Sequence, residues 1–125
     1  MILDTNAVSA LLAGDPDLGA VLADSERHHL PVVVLGEYRY GLQRSRSRPQ
    51  LEALLEALTR ESIVLDVDRA TARCYAEVRE ELRRDGTPIP ENDIWIAALA
   101  RQHGEPVASR DGHFDVVDKV QRVSW

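Results

Sequence analysis

Four acidic side chains in this 125-residue sequence stand apart by position: Asp4, Glu37, Asp93 and Asp111. Asp4 directly follows the apolar start Met1-Ile2-Leu3, Glu37 follows the apolar run Pro31 to Leu35, and Asp111 lies just beyond Pro106 to Ser109. Each run reads as a strand. In an open parallel sheet the strands share a direction, so all three carboxylates emerge at the carboxyl edge, where such sheets place their ligands. Asp93 falls in the first turn of an expected helix, where unpaired N–H groups favour an anion. Two bare carboxylates about 4 Å apart repel by about 4 kcal/mol at the effective dielectric of a protein surface. Four of them meeting at one edge therefore call for a cation. Mg2+, with Mn2+ as a substitute, suits an all-oxygen, water-rich cluster. Such an ion lowers the pKa of bound water, orients it, and offsets charge on phosphate oxygens, which points to phosphate chemistry.

The remaining acids fit a plainer role. Glu77 to Glu81 alternate with Arg79, Arg83 and Arg84 on what reads as a solvated helix face. His28 and His29 are adjacent, His103 ends a helix, and no His or Cys stands at zinc spacing near the four carboxylates, so no nitrogen or sulfur ligand is expected. There is no GxxxxGK[ST] or GxGxxG to cradle a nucleotide.

The elements that must position these groups follow from periodicity. Short apolar runs alternate with helical patterns, the signature of a parallel sheet covered by helices on both faces. The expected strands are Met1 to Leu3, Pro31 to Leu35, Ser62 to Val67, Pro106 to Ser109 and Val120 to Ser124. Thr5 or Asn6 is expected to cap the first helix, and Asp15-Pro16 opens a second. Residues 36 to 45 and 50 to 59 read as helices. Asp68 caps a long charged helix through Arg84, stopped by Asp85-Gly86, and a last helix runs from Asn92 to His103 before Gly104. The fold class is α/β: three layers around a mainly parallel sheet of four to five strands, in one domain spanning residues 1–125.

Composition narrows the options. Hydrophobic residues make up 44% of the chain, enough for a core without disulfides or structural zinc, and the single Cys74 is expected to be buried and reduced. The longest apolar run is far short of a membrane span, and the start has neither a basic nor a long apolar segment, so a cytoplasmic protein with no membrane partner is expected. The net charge of −6 argues against a non-specific nucleic-acid binder; setting apart the four carboxylates reduces it to −2. The residues Arg39, Arg44, Arg46 and Arg48 give a local +4 with no acid among them, which reads either as a solvated helix end or as a stripe facing phosphates. Tyr38 and Tyr40 flank Arg39, either to stack on unpaired bases or to pack in the core or at a dimer contact.

Four motifs carry a resemblance: Ile2-Leu3-Asp4-Thr5-Asn6, then Gly36-Glu37-Tyr38-Arg39-Tyr40-Gly41, then Asn92-Asp93-Ile94-Trp95-Ile96-Ala97-Ala98, then Ser109-Arg110-Asp111 with Phe114 close behind. Together, in order, they resemble the PIN-domain proteins, and most of all the VapC toxins of type II toxin–antitoxin pairs. The resemblance implies an acidic quartet of Asp4, Glu37, Asp93 and Asp111. Asp4, Asp93 and Asp111 would hold Mg2+, with Glu37 bound through water or orienting the attacking water. Asp115 is the alternative to Asp111. Thr5 and Asn6 would fix the Asp4 carboxylate from behind. The implied activity is endoribonucleolytic cleavage by metal-activated water, leaving a 5′-phosphate and a 3′-hydroxyl. The implied partners are an RNA substrate, a second copy of the chain, and a small antitoxin that lays a basic side chain across the acidic cleft.

Two other readings compete. A Mg2+-dependent phosphatase or phosphoryl-acceptor domain would use Asp4 as nucleophile, but it often carries a second acid two residues on, where this chain has Asn6, and it needs a lysine near the site, whereas the only lysine is Lys119. A non-catalytic PIN-like binding module would not need the complete quartet.

Overall fold

In a computed structural model describing residues 1–125, five short strands form one all-parallel sheet in the order β3-β2-β1-β4-β5. They are β1 (Ile2–Leu3), β2 (His29–Pro31), β3 (Ile63–Leu65), β4 (Val107–Ala108) and β5 (Arg122–Val123). Six helices fill the connections in a three-layer α/β/α arrangement: α1 (Thr5–Leu12), α2 (Pro16–Leu22), α3 (Val32–Leu42), α4 (Arg48–Glu61), α5 (Arg69–Asp85) and α6 (Glu91–His103). The chain steps outward from β1 to β3, then returns to the other side of β1 for β4 and β5. This reversal puts the ends of β1 and β4 at the switch point, where a crevice opens at the carboxyl edge.

The sheet is apolar because it is covered. Ile2, Leu3, Leu30, Val107 and Ala108 are fully buried, and α6 adds Ile96, Ala97, Ala98 and Leu99. Such near-continuous apolar strands are the mark of parallel sheets shielded on both faces. Beyond β4, a 3-10 turn over Gly112–Val116 is pinned by Phe114, whose ring is fully buried. Burying that ring contributes about 2–3 kcal/mol and fixes the segment that carries Asp111.

Several helix ends follow the expected chemistry. Asp15 accepts the N–H groups of Asp17 and Leu18 ahead of Pro16. Asp68 and Thr71 form a reciprocal capping box on α5. Gly86 and Gly104 end α5 and α6 at φ of 65° and 63°, a left-handed backbone that favours glycine.

Other expectations are corrected. The second strand is His29–Pro31, not Pro31 to Leu35, and the three valines open α3 instead. Of the three only Val34 is fully buried, and the buried residues of α3 recur as Val34, Tyr38 and Leu42, one face of a helix rather than the pleat of a strand. The cap of α1 is Asp4 itself, which accepts the Ala7 N–H at 2.8 Å; Thr5 and Asn6 lie within the first helical turn. Cys74 is half-exposed on α5 rather than buried. No helix is long and apolar enough to cross a membrane.

Candidate active site

At the carboxyl edge lies a cavity of about 380 Å³ whose wall is polar apart from Pro90. It is lined by Asp4, Thr5, Asn6, Glu37, Pro90, Glu91, Asn92, Asp93 and Asp111. Four separate connections thus deliver a carboxylate to one place, and none of Asp4, Glu37, Asp93 and Asp111 is paired with an Arg or Lys.

Asp4 sits at the floor, only 4% exposed, held by its capping bond to Ala7. Burial pushes its carboxyl above the ordinary range; Ser109 and the Ala7 N–H pull the other way, and the charges of Asp93 and Asp111 add to the rise. Asp93, in the first turn of α6, is raised chiefly by burial as well, with Asp111 adding to it and His113 opposing. A carboxylate that is costly to charge where it sits is one that gains most from a bound cation. Asp111 caps the 3-10 turn through the His113 N–H at 3.0 Å, while its own N–H donates to the Ser109 hydroxyl at 2.9 Å. Glu37 reaches the cavity from the second turn of α3, where the Thr5 hydroxyl donates to its Oε1 at 3.1 Å.

The structure therefore reassigns part of the expected support. Thr5 engages Glu37, not Asp4, and Asn6 is exposed on the rim with no bond to Asp4. Ser109 and the α1 backbone take over the fixing of Asp4. Asp115 lies outside the cavity, held by two 2.8 Å bonds from Arg122, so Asp111 is the member of that pair facing the other acids.

The arginine cluster is also only partly free. Arg39 pairs with Glu56 across α3 and α4, and Arg48 pairs with Glu52. Arg44 and Arg46 are exposed in the α3–α4 connection without an ion pair, and none of the four lines the cavity. Tyr38 is buried in the core, whereas Tyr40 is 78% exposed. Trp95 stacks on Tyr75 of α5, with ring centroids 3.9 Å apart.

Sequence reasoning missed His113. Its Nδ1 lies 2.9 Å from Asp93 Oδ2 and 2.9 Å from Asp111 Oδ2, so an imidazole joins the carboxylates where none was expected. The signal was the Asp-x-His spacing right after a strand end, which a search confined to zinc-finger spacings passes over. Asn92 and Glu91, which bring an amide and a fifth carboxylate to the rim, were missed too. As a donor set, carboxylates, an imidazole and amides without a lysine or arginine suit a divalent cation.

An all-parallel sheet with an acidic cavity at its switch point is the architecture of the PIN domain: residues 1–120 match the family model of that domain, and the chain belongs to this family. Among its relatives, Ribonuclease VapC5 of Mycobacterium tuberculosis is 33% identical, the match covering 98% of this chain and 90% of the relative. Toxin FitB of Neisseria gonorrhoeae is 31% identical over 100% of this chain and 98% of its own. The crystal structure of the VapBC-5 toxin–antitoxin system of Mycobacterium tuberculosis superposes with a TM-score of 0.79 at 32% identity, covering 99% of this chain and 97% of that one.

Proposed function

We propose that this chain is a divalent-metal-dependent endoribonuclease acting as the toxin of a toxin–antitoxin pair. The observation that carries the reading is the convergence of Asp4, Glu37, Asp93 and Asp111 in one polar cavity with no Arg or Lys among them. The similarity to proteins named ribonuclease VapC and toxin FitB over nearly the whole chain supports it.

Asp4, Asp93 and Asp111 would hold Mg2+, or Mn2+ in its place. When bound, such an ion lowers the pKa of water and offsets the charge that builds on the phosphate oxygens during attack. Glu37, with one oxygen occupied by the Thr5 hydroxyl, keeps the other to orient the attacking water and accept its proton. Attack on phosphorus breaks the bond to the 3′ oxygen and leaves a 5′-phosphate and a 3′-hydroxyl. Arg44 and Arg46, the exposed and unpaired members of their cluster, are the ones available to an RNA backbone. The cavity's uncompensated negative charge also fits inhibition by a small antitoxin carrying a basic side chain, and a homodimer is the expected assembly.

The test is cleavage of purified structured RNA, such as tRNA, in Mg2+ or Mn2+. Wild type is expected to cut and to produce 5′-phosphate ends, while Asp93→Asn, folded by circular dichroism, does not. RNA that wild type binds but leaves whole in both metals would overturn the enzymatic reading. The phosphatase alternative lacks support in the cavity wall, which contains no lysine.

A further inference from the structure

We infer that His113 is a nitrogen ligand of the metal in this site, which makes the site a mixed carboxylate–imidazole centre that favours Mn2+ over Mg2+. The inference rests on the metal-dependent reading above and extends it to a residue outside the acidic quartet.

The geometry carries it. Nδ1 of His113 faces two carboxylate oxygens, Asp93 Oδ2 and Asp111 Oδ2, at 2.9 Å each. The contact to Asp93 has hydrogen-bond geometry and the one to Asp111 does not; a ring nitrogen has a single in-plane site, so one hydrogen bond accounts for only one of the two approaches. The same three atoms suit a shared ion better. In an octahedral site with bonds of about 2.1 Å, neighbouring ligand atoms stand about 3.0 Å apart. A tetrahedral zinc site with similar bonds would spread them to about 3.4 Å. Both observed edges match the octahedral case.

The position is held from outside the cluster. Phe114, the next residue, is fully buried, and the His113 backbone N–H is tied to Asp111 Oδ1, so the ring is presented by a fixed turn. The His113 side chain is 42% exposed, which makes substitution tolerable for folding. Imidazole is a poor partner for Mg2+, which prefers hard oxygen donors, and an adequate one for the softer transition ions; adding one nitrogen to a carboxylate set therefore tilts the preference toward Mn2+.

The test reads the metal directly, on the intact chain titrated with MnCl2 or MgCl2. Pulsed electron paramagnetic resonance of the Mn2+-loaded wild type is expected to show coupling to a directly bound nitrogen, lost in His113→Ala and in His113→Gln. Calorimetric titration is expected to show Mn2+ affinity falling about tenfold or more in His113→Ala with a smaller change for Mg2+. Mn2+ that binds wild type without nitrogen coupling would overturn the inference and leave the carboxylate site standing. So would full Mn2+ affinity in His113→Gln, whose amide can replace a hydrogen bond. Failure of both ions to bind wild type would overturn the metal-dependent reading and the inference with it.

Discussion

The acids of the cavity and the acids of the α5–α6 surface are chemically the same groups under opposite management. Outside it, three carboxylates of α5 and α6 each have an arginine: Glu80 with Arg83, Glu81 with Arg101, and Glu91, at the cavity rim, with Arg79. The carboxyls of Glu80 and Glu81 are held below the ordinary range by hydrogen bonds from those guanidinium groups. In the cavity Asp4 and Asp93 are pushed the other way by burial, and the charges of neighbouring acids, Asp111 among them for both, add to the rise. The pair Asp111 and Asp115 shows the same divide within one turn, since Asp115 is satisfied by Arg122 while Asp111 turns inward. A chain with 14 arginines in its sequence has ample cations to neutralise four more acids. Keeping them out of the cavity costs stability and reserves the site for a cation from solution.

That contrast can be broken most severely at its charged centre. Asp93→Asn is expected to lower the rate of RNA cleavage by about a thousandfold or more, since a ligand and its charge are lost together. Asp115→Asn should leave the rate within about twofold and stability little changed, as for exposed ion pairs; single-turnover cleavage and urea unfolding measure both. Next in size is the surface network at its least exposed point. Arg101, 12% exposed, donates two bonds to Glu81 and one to the Asp118 carbonyl, so Arg101→Ala is expected to lower unfolding free energy by about 1–3 kcal/mol with cleavage unchanged. A smaller effect on the opposite observable is expected from Thr5→Val, which frees Glu37 of its hydrogen bond: kcat should fall about tenfold with stability little changed.

The pH dependence sharpens the comparison from both sides. A carboxyl raised on folding keeps its proton in the folded chain where the unfolded chain has already released it. The stability it contributes is present below the unfolded value near 3.8 and is lost as pH rises through the raised range. Groups held low, such as Asp68 and Asp115, behave oppositely: their contribution is present above 3.8 and lost as pH falls. In chelator, Asp4→Asn keeps the capping oxygen and removes the charge, so its stability relative to wild type is expected to grow as pH rises from about 4 toward 7. Urea unfolding across that range, with added Mn2+ reversing the order, is the measurement.

Much of the frame was legible because the relevant signals were local. Asp68, Asp15 with Pro16, and Gly86 and Gly104 are helix ends written in single residues, and the alternation of apolar runs with helical patterns yields the parallel sheet. Val32 to Val34 misled because β-branched residues favour strands only where a neighbouring strand is available. Here β2 already ends at Pro31, and tertiary packing draws the valines into α3. That earlier helix start is why Glu37 arrives from a second helical turn and meets Thr5. The partner of Thr5, the pairing of Arg39 with Glu56, and the approach of His113 to Asp93 across 20 residues depend on how elements lean together, which no local pattern encodes. The family resemblance named the four acids, but their neighbours had to be read from the fold.

The strands that carry these groups are only two or three residues long. Side chains alternate faces along a strand, at a rise of about 3.3 Å per residue. One residue inserted into Ile2–Leu3 would therefore turn the next carboxylate away from the crevice and thrust it among the apolar layers. The exposed connection through Asp24, Glu26 and Arg27 has no such alternation to preserve. Insertions and deletions that leave a working enzyme should accordingly gather in connections of that kind, while the count of residues ahead of Asp4 within β1 stays constant.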